Sequence, residues 1–213
     1  MHTQIEQRSE AKEGVVRVGD GRGFVVETKR GERFVLTAAH CLPHFPPCHP
    51  FSYTHERTYA SLLGLLGEKP SVWAECLFCD PIADIAVLGE PDAQIGDEWE
   101  EYSALIDELP ALSIARLPSK AIEHSVSVLS LDGQWIAGTG RSGQRFHVQG
   151  EFLTKRFYML IGIEALVASG MSGSPILSGN GSAVALVSTG TMNPILASNL
   201  PERIWRQLAY QKN

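Results

Sequence analysis

The chain of 213 residues has no long hydrophobic run. Its greasiest stretches, "SLLGLLG" and "EALVA", fall far short of the roughly 18 to 20 residues that a membrane span needs. The polar start, "MHTQIEQRSEAKEG", lacks the apolar core of a secretory signal, so the expected setting is the cytoplasm, with no membrane partner. A basic block is missing too. The densest basic stretch, "ETKRGER", also carries two glutamates, and the net charge is -6, which argues against nucleic acid as a partner. Cysteine is scarce, at four residues, and without a secretory signal an even count is poor ground for disulfides. Repeats and low-complexity tracts are absent, and helical periodicity is rare.

What remains is a series of short strand-like runs. "GVVRVG", "GRGFVVET" and "RFVLTAA" are β-branched or aromatic and bounded by glycine or charge, with "TKRGER" as a hairpin turn. "VWAECLF" and "DIAVLGE" continue the pattern, and "GDEWEEYSA" and "LIDELP" read as acidic surface or linker. After Pro118 come "HSVSVLSL", "QWIAGTG", "QRFHVQGEF", "RFYMLIGI", "SPILS" and "SAVALVSTG". The final piece, "LPERIWRQLAYQ", reads as the one helix: Pro201 suits a first helical position, and Ile204, Trp205 and Leu208 share a face. The pattern predicts an all-β barrel or sandwich, and the length fits two small barrels with a boundary near residues 112–118. The expected organisation is a polar tail over 1–13, one barrel over 14–115, a second over 116–200 and a helix over 201–213.

Three motifs carry chemistry. "LTAAHCL" places His40 after a strand run, "DPIADIAVL" places Asp84 before one, and "GMSGSP" sets Ser172 inside a glycine turn. Acyl transfer by serine needs a neutral imidazole as proton acceptor, a carboxylate to fix its tautomer, and N–H donors for the oxyanion. The rivals are weaker. Asp80 precedes a proline and reads as a turn residue. His44, His49 and His55 fall in a loop. A Ser-Asp-His hydrolase on an α/β sheet would need a different order and alternating helices.

These motifs resemble those of the chymotrypsin-like (trypsin-like) serine proteases, in the style of bacterial members made without a zymogen. "TAAHC" stands verbatim at Thr37 to Cys41, "DIAVL" runs from Asp84 to Leu88, and "GMSGSP" matches the serine motif except that Ser174 replaces a glycine. The resemblance spans about 14–190. It implies two six-stranded antiparallel β-barrels and a C-terminal helix, and a serine endopeptidase acting on a polypeptide substrate through an acyl-enzyme, without cofactor or metal. The catalytic residues implied are His40, Asp84 and Ser172, with the N–H groups of Gly170 and Ser172 as oxyanion hole. Substrate would lie along Ser188, Thr189 and Gly190. Leu166, six residues before the serine, would floor a neutral, apolar specificity pocket, with Glu164 nearby. Met171 stands where zymogens carry an acid, so no activation by a freed N-terminus is expected. The alternative is a protease-fold module that is inactive alone and is activated by, or scaffolds, a protein partner, with "GDEWEEY" and loop 43–58 as candidate docking surface.

The cysteines carry a separate expectation. Cys41, Cys48, Cys76 and Cys79, with His44 and His49, could bind zinc. An odd offset within one strand, however, puts Cys76 and Cys79 on opposite faces, which favours buried free thiols.

Overall fold

Short β-branched runs need partners on both edges, and the twelve strands of the described residues supply them by closing on themselves. The computed structural model describes residues 2–47, 54–92, 96–115, 123–148, 151–163, 166–189 and 196–199. The predicted helix over 201–213, Gly190, Glu164, Cys48 and His49 lie outside the described residues.

The chain opens with α1 (His2–Glu13), then β1 (Val15–Val18), β2 (Gly21–Glu27), β3 (Arg33–Thr37), β4 (Thr58–Leu65), β5 (Val72–Asp80), β6 (Ile85–Gly89) and α2 (Glu98–Ile106). There follow β7 (Glu123–Leu129), β8 (Trp135–Val148), β9 (Glu151–Ile161), β10 (Pro175–Ser178), β11 (Ala183–Thr189) and β12 (Leu196–Asn199). The first barrel runs β1-β2-β3-β6-β5-β4 and closes through β1 on β4, with Val16 opposite Leu65. The second runs β7-β8-β9-β12-β11-β10 and closes through β10 on β7, with Ile176 opposite Val128. All these pairings are antiparallel, and the strand order of one barrel repeats in the other. This is the two-barrel, chymotrypsin-like architecture. The hairpin between β2 and β3 turns at Gly31, which takes a positive φ of 84°.

The first core is built from the inward residues of its strands, among them Phe24, Val35, Leu36, Leu63, Ile85 and Leu88, all fully buried. Each such side chain contributes about 1.5–3 kcal/mol. The second core holds Val126, Val128, Leu160, Met171, Ile176 and Val187.

Three readings of the sequence are corrected here. Residues 2–13 form a helix rather than a polar tail. It is polar all round and is held by docking: Trp135 Nε1 donates to the Arg8 carbonyl (2.9 Å), Arg8 Nη2 donates to Ser127 Oγ (3.0 Å), and Ala11 is buried. Residues 98–106, read as acidic surface, are also helical. Glu98, Glu100 and Glu101 occupy the first turn, where the helix dipole favours negative charge, while Tyr102 and Ile106 are buried. Finally, Cys76 and Cys79 do not face opposite ways. The ladder slips between Cys76 and Phe78, so Cys76 pairs with Leu88 and Cys79 with Ala86. The extra residue of this bulge resets the alternation and sets the two thiols on one side of the strand, where Cys76 Sγ donates to the Phe78 carbonyl (3.3 Å). Cys41, Cys76 and Cys79 are free thiols, and no described group of three His, Cys, Asp or Glu is arranged to hold a metal.

The barrels are laced together before the site is reached. Leu112 N donates to the Val25 carbonyl (2.8 Å), while Ala183 N donates to Ser113 and Ala115 N to Ala183 (2.8 and 3.0 Å). No described helix is long and apolar enough to cross a membrane.

Candidate active site

His40 sits one turn beyond β3. Val35, Leu36, Thr37, Ala38 and Ala39 are buried, so the strand drives straight into the core and the chain must turn at its end. It does so as a 3-10 turn, Ala39–Cys41, in which Cys41 N donates to the Ala38 carbonyl (3.0 Å). His40 is thereby lifted to the surface with its ring partly exposed.

Asp84 reaches it from the turn before β6. Asp80 shapes that turn: its Oδ1 accepts from Ile82 N (3.1 Å) and Ala83 N (2.9 Å). Asp84 then takes φ = 54°, the left-handed region that Asp tolerates better than most residues. Its carboxylate accepts three hydrogen bonds. His40 N donates to Oδ1 (3.0 Å), and His40 Nδ1 and Ser188 Oγ both donate to Oδ2 (2.8 and 2.5 Å). A carboxylate only accepts, so Nδ1 carries the proton and the lone pair of neutral His40 lies on Nε2. The Asp84 hydrogen bond raises the His40 pKa above its ordinary 6.5; burial opposes this but does not prevail. Burial pushes the Asp84 carboxyl up, yet the hydrogen bonds from His40 and Ser188 outweigh it and hold it below its ordinary 3.8.

Ser172 comes from the second barrel, on the turn entering β10. Met171 N donates to the Ala168 carbonyl (3.1 Å), Ser174 N to Met171 (3.0 Å) and Gly173 N to Val187 (2.7 Å). Gly170 and Gly173 have φ of 90° and 81°. At Gly173 a Cβ would lie 1.8 Å from the Arg22 carbonyl oxygen, so glycine alone fits there. The N–H groups of Gly170 and Ser172 have no acceptor among the described residues. The Ser172 carbonyl accepts from Arg22 N (2.7 Å) and from the Cys41 thiol (3.7 Å). Burial lifts that thiol to a pKa of about 11, which leaves it protonated at neutral pH. Ser172 Oγ donates to the Ser188 carbonyl (3.4 Å).

A cleft of about 460 Å³ opens beside these groups, lined by Asp20, His40, Leu42, Pro43, Gly170 and Ser172 among others. The structure thus brings together His40, Asp84, Ser172, Gly170 and Ser188. Ser188 is buried and serves the aspartate through its hydroxyl and the serine through its carbonyl. Thr189 ends β11 beside it. Leu166 stands apart: it is 54% exposed rather than enclosed. His44 packs its ring on Tyr59, with centroids 4.9 Å apart, and is no part of this cluster. Met171 is fully buried.

One participant had no sequence signal. Arg22 stands between two glycines in β2 with no motif to mark it, yet it is buried and touches the Ser172 turn. Only a three-dimensional pairing reveals it.

No protein-family model and no curated sequence matches the chain. Among solved structures it is similar to the active form of the Rv3671c protease from M. tuberculosis, at 18% identity and a TM-score of 0.55, over 97% of this chain and 85% of that one. The inactive form of the Rv3671c protease gives 20% identity and a TM-score of 0.55 over 94% and 90%. The NS6 protease from murine norovirus 1 gives 19% and 0.51 over 94% and 97%. At such identities the likeness concerns the backbone: the chain shares the chymotrypsin-like two-barrel fold of these proteases.

Proposed function

We propose that the protein is a serine endopeptidase of the chymotrypsin-like type. Ser172 Oγ attacks the scissile carbonyl as His40 Nε2 takes its proton, and the N–H groups of Gly170 and Ser172 receive the oxyanion. His40 returns the proton to the leaving amine. Water, deprotonated by the same nitrogen, then releases the acyl group. Asp84 stays ionised throughout and stabilises the imidazolium. The observation that carries this reading is the Nδ1-bonded His40–Asp84 pair, facing a cleft shared with a serine whose flanking N–H groups have no acceptor among the described residues. Polypeptide would pair along Ser188 to Gly190.

Labelling with a fluorophosphonate, read as intact mass, tests this. The expected result is one adduct on wild type, none on Ser172→Ala and strongly slowed labelling of His40→Ala. An unlabelled wild type, or an adduct that survives Ser172→Ala, would refute it.

A second reading draws on one contact. Ser172 Oγ donates to the Ser188 carbonyl and must leave it before it can donate to His40. This favours a site completed by substrate or by a protein partner that turns the hydroxyl. Full labelling of the isolated wild type discards that reading.

A further inference from the structure

Arg22 lies at the start of β2, 4% exposed. A buried arginine normally faces a carboxylate. Here the acceptors are carbonyl oxygens of the segment leaving β7 in the other barrel. Nη1 donates to Leu129 and Ser130, both at 2.9 Å, and Nη2 donates to Leu131 at 3.4 Å. Burial, then the nearby Arg17 charge, lowers its pKa from the ordinary arginine value.

The main chain of the same residue grips the Ser172 turn. Arg22 N donates to the Ser172 carbonyl at 2.7 Å. The Arg22 carbonyl accepts from Thr37 Oγ1 at 2.7 Å, on the strand that leads to His40, and occupies the space under Gly173. The segment held by the guanidinium backs the turn in its own right: Leu131 Cδ2 is 3.6 Å from the place a Cβ on Gly170 would take. One residue therefore meets the His40 strand, the Ser172 carbonyl and the loop behind Gly170.

Resting on the peptidase reading, we propose that Arg22 is the positioning residue of the oxyanion hole. By clamping the carbonyls of Leu129, Ser130 and Leu131, it holds the Gly170 and Ser172 N–H groups on the point where the oxyanion forms. A residue that merely stapled the barrels would change the melting temperature and leave the rate of folded molecules unchanged. A positioning residue changes that rate, because donors displaced from the oxyanion lose most of their effect.

The test compares wild type, Arg22→Lys and Arg22→Met at a temperature where circular dichroism shows each fully folded. Two quantities are read: the second-order rate constant for phosphonylation of Ser172 across pH, and hydrogen exchange at the bonded amides of its turn, those of Met171, Gly173 and Ser174. Expected is a loss of about 100-fold in Arg22→Met, in the range for losing an oxyanion donor, and about 10-fold in Arg22→Lys, which keeps the charge but not the planar fork. The pH midpoint stays put, since His40 and Asp84 are untouched, and exchange quickens at the Met171, Gly173 and Ser174 amides but not in β3 or β6. Equal rate constants, a moved midpoint, or unchanged exchange would overturn the proposal. If Arg22→Met does not fold, Arg22→Lys carries the comparison. If wild type is not phosphonylated, the peptidase reading falls, and amide exchange alone decides whether Arg22 positions the turn.

Discussion

Around His40 and Asp84 the polar groups are spent: the carboxylate takes three hydrogen bonds, and the His40 backbone and ring donate to the same side chain. Around Ser172 the opposite holds. Its turn is well tied at Met171, Gly173 and Ser174, yet the Gly170 and Ser172 N–H groups lack acceptors among the described residues. On the proposed function, the difference matches what each half would do. The base must hold one tautomer in the resting state and keep it. The oxyanion donors must interact more strongly with the transition state than with anything before it, so their hydrogen bonds have to be withheld until then.

The contrast can be broken from either side. The largest effect is expected from Asp84→Asn. Asparagine tolerates the left-handed backbone at this position, so the fold should survive, but the imidazole loses the partner that fixes its tautomer. Acylation should fall by about 10⁴-fold. Only neutral imidazole accepts the proton, so wild-type rates rise with pH through a midpoint above 6.5, and the variant's midpoint moves down, because the main cause of the raised pKa is gone. A pH–rate profile of both proteins decides this. The same shifts bear on stability. His40, with its raised pKa, contributes stability that is complete below pH 6.5 and is lost as pH rises through the folded value. Asp84, with its lowered pKa, contributes above 3.8 and is lost as pH falls through the folded value.

Gly173→Ala strikes the other half. The new methyl meets the Arg22 carbonyl in a backbone region hostile to alanine, so a loss of about 3 kcal/mol or more is expected in denaturant unfolding, together with loss of labelling. The smallest effect belongs to Ser174→Ala. Ser174 Oγ is buried without a partner among the described residues, so removing it should be neutral or stabilising by about 1 kcal/mol, with labelling retained. A clear destabilisation would mean that the hydroxyl has a role its surroundings do not reveal.

The sequence showed some of this well. β-branched and aromatic runs bounded by glycine or charge announced most strands, because both signals are local. The motifs around His40, Asp84 and Ser172 were legible because each is a short strand-to-turn junction. What depended on partners was hidden. The helix at 2–13 has no apolar face and exists through Trp135 and Ser127. The helix at 98–106 did show Trp99, Tyr102 and Ile106 at helical spacing, but its glutamates drew the reading to the surface. The bulge at Leu77 left no mark in composition, although it reverses the relation of Cys76 and Cys79. Arg22 illustrates the same limit, since a lone charge in a strand says nothing of the carbonyls that will surround it.

His40 and Ser172 belong to different barrels, and on the proposed function this separation would make turnover a gauge of how the barrels are docked. A displacement of about an ångström between reacting groups can cost 10²-fold in rate, while each closed sheet keeps its own ladder and core intact. Warming or mild denaturant would then extinguish turnover while both sheets were still folded, and the working range of the protein would be set by the seam between its barrels rather than by the melting of either one.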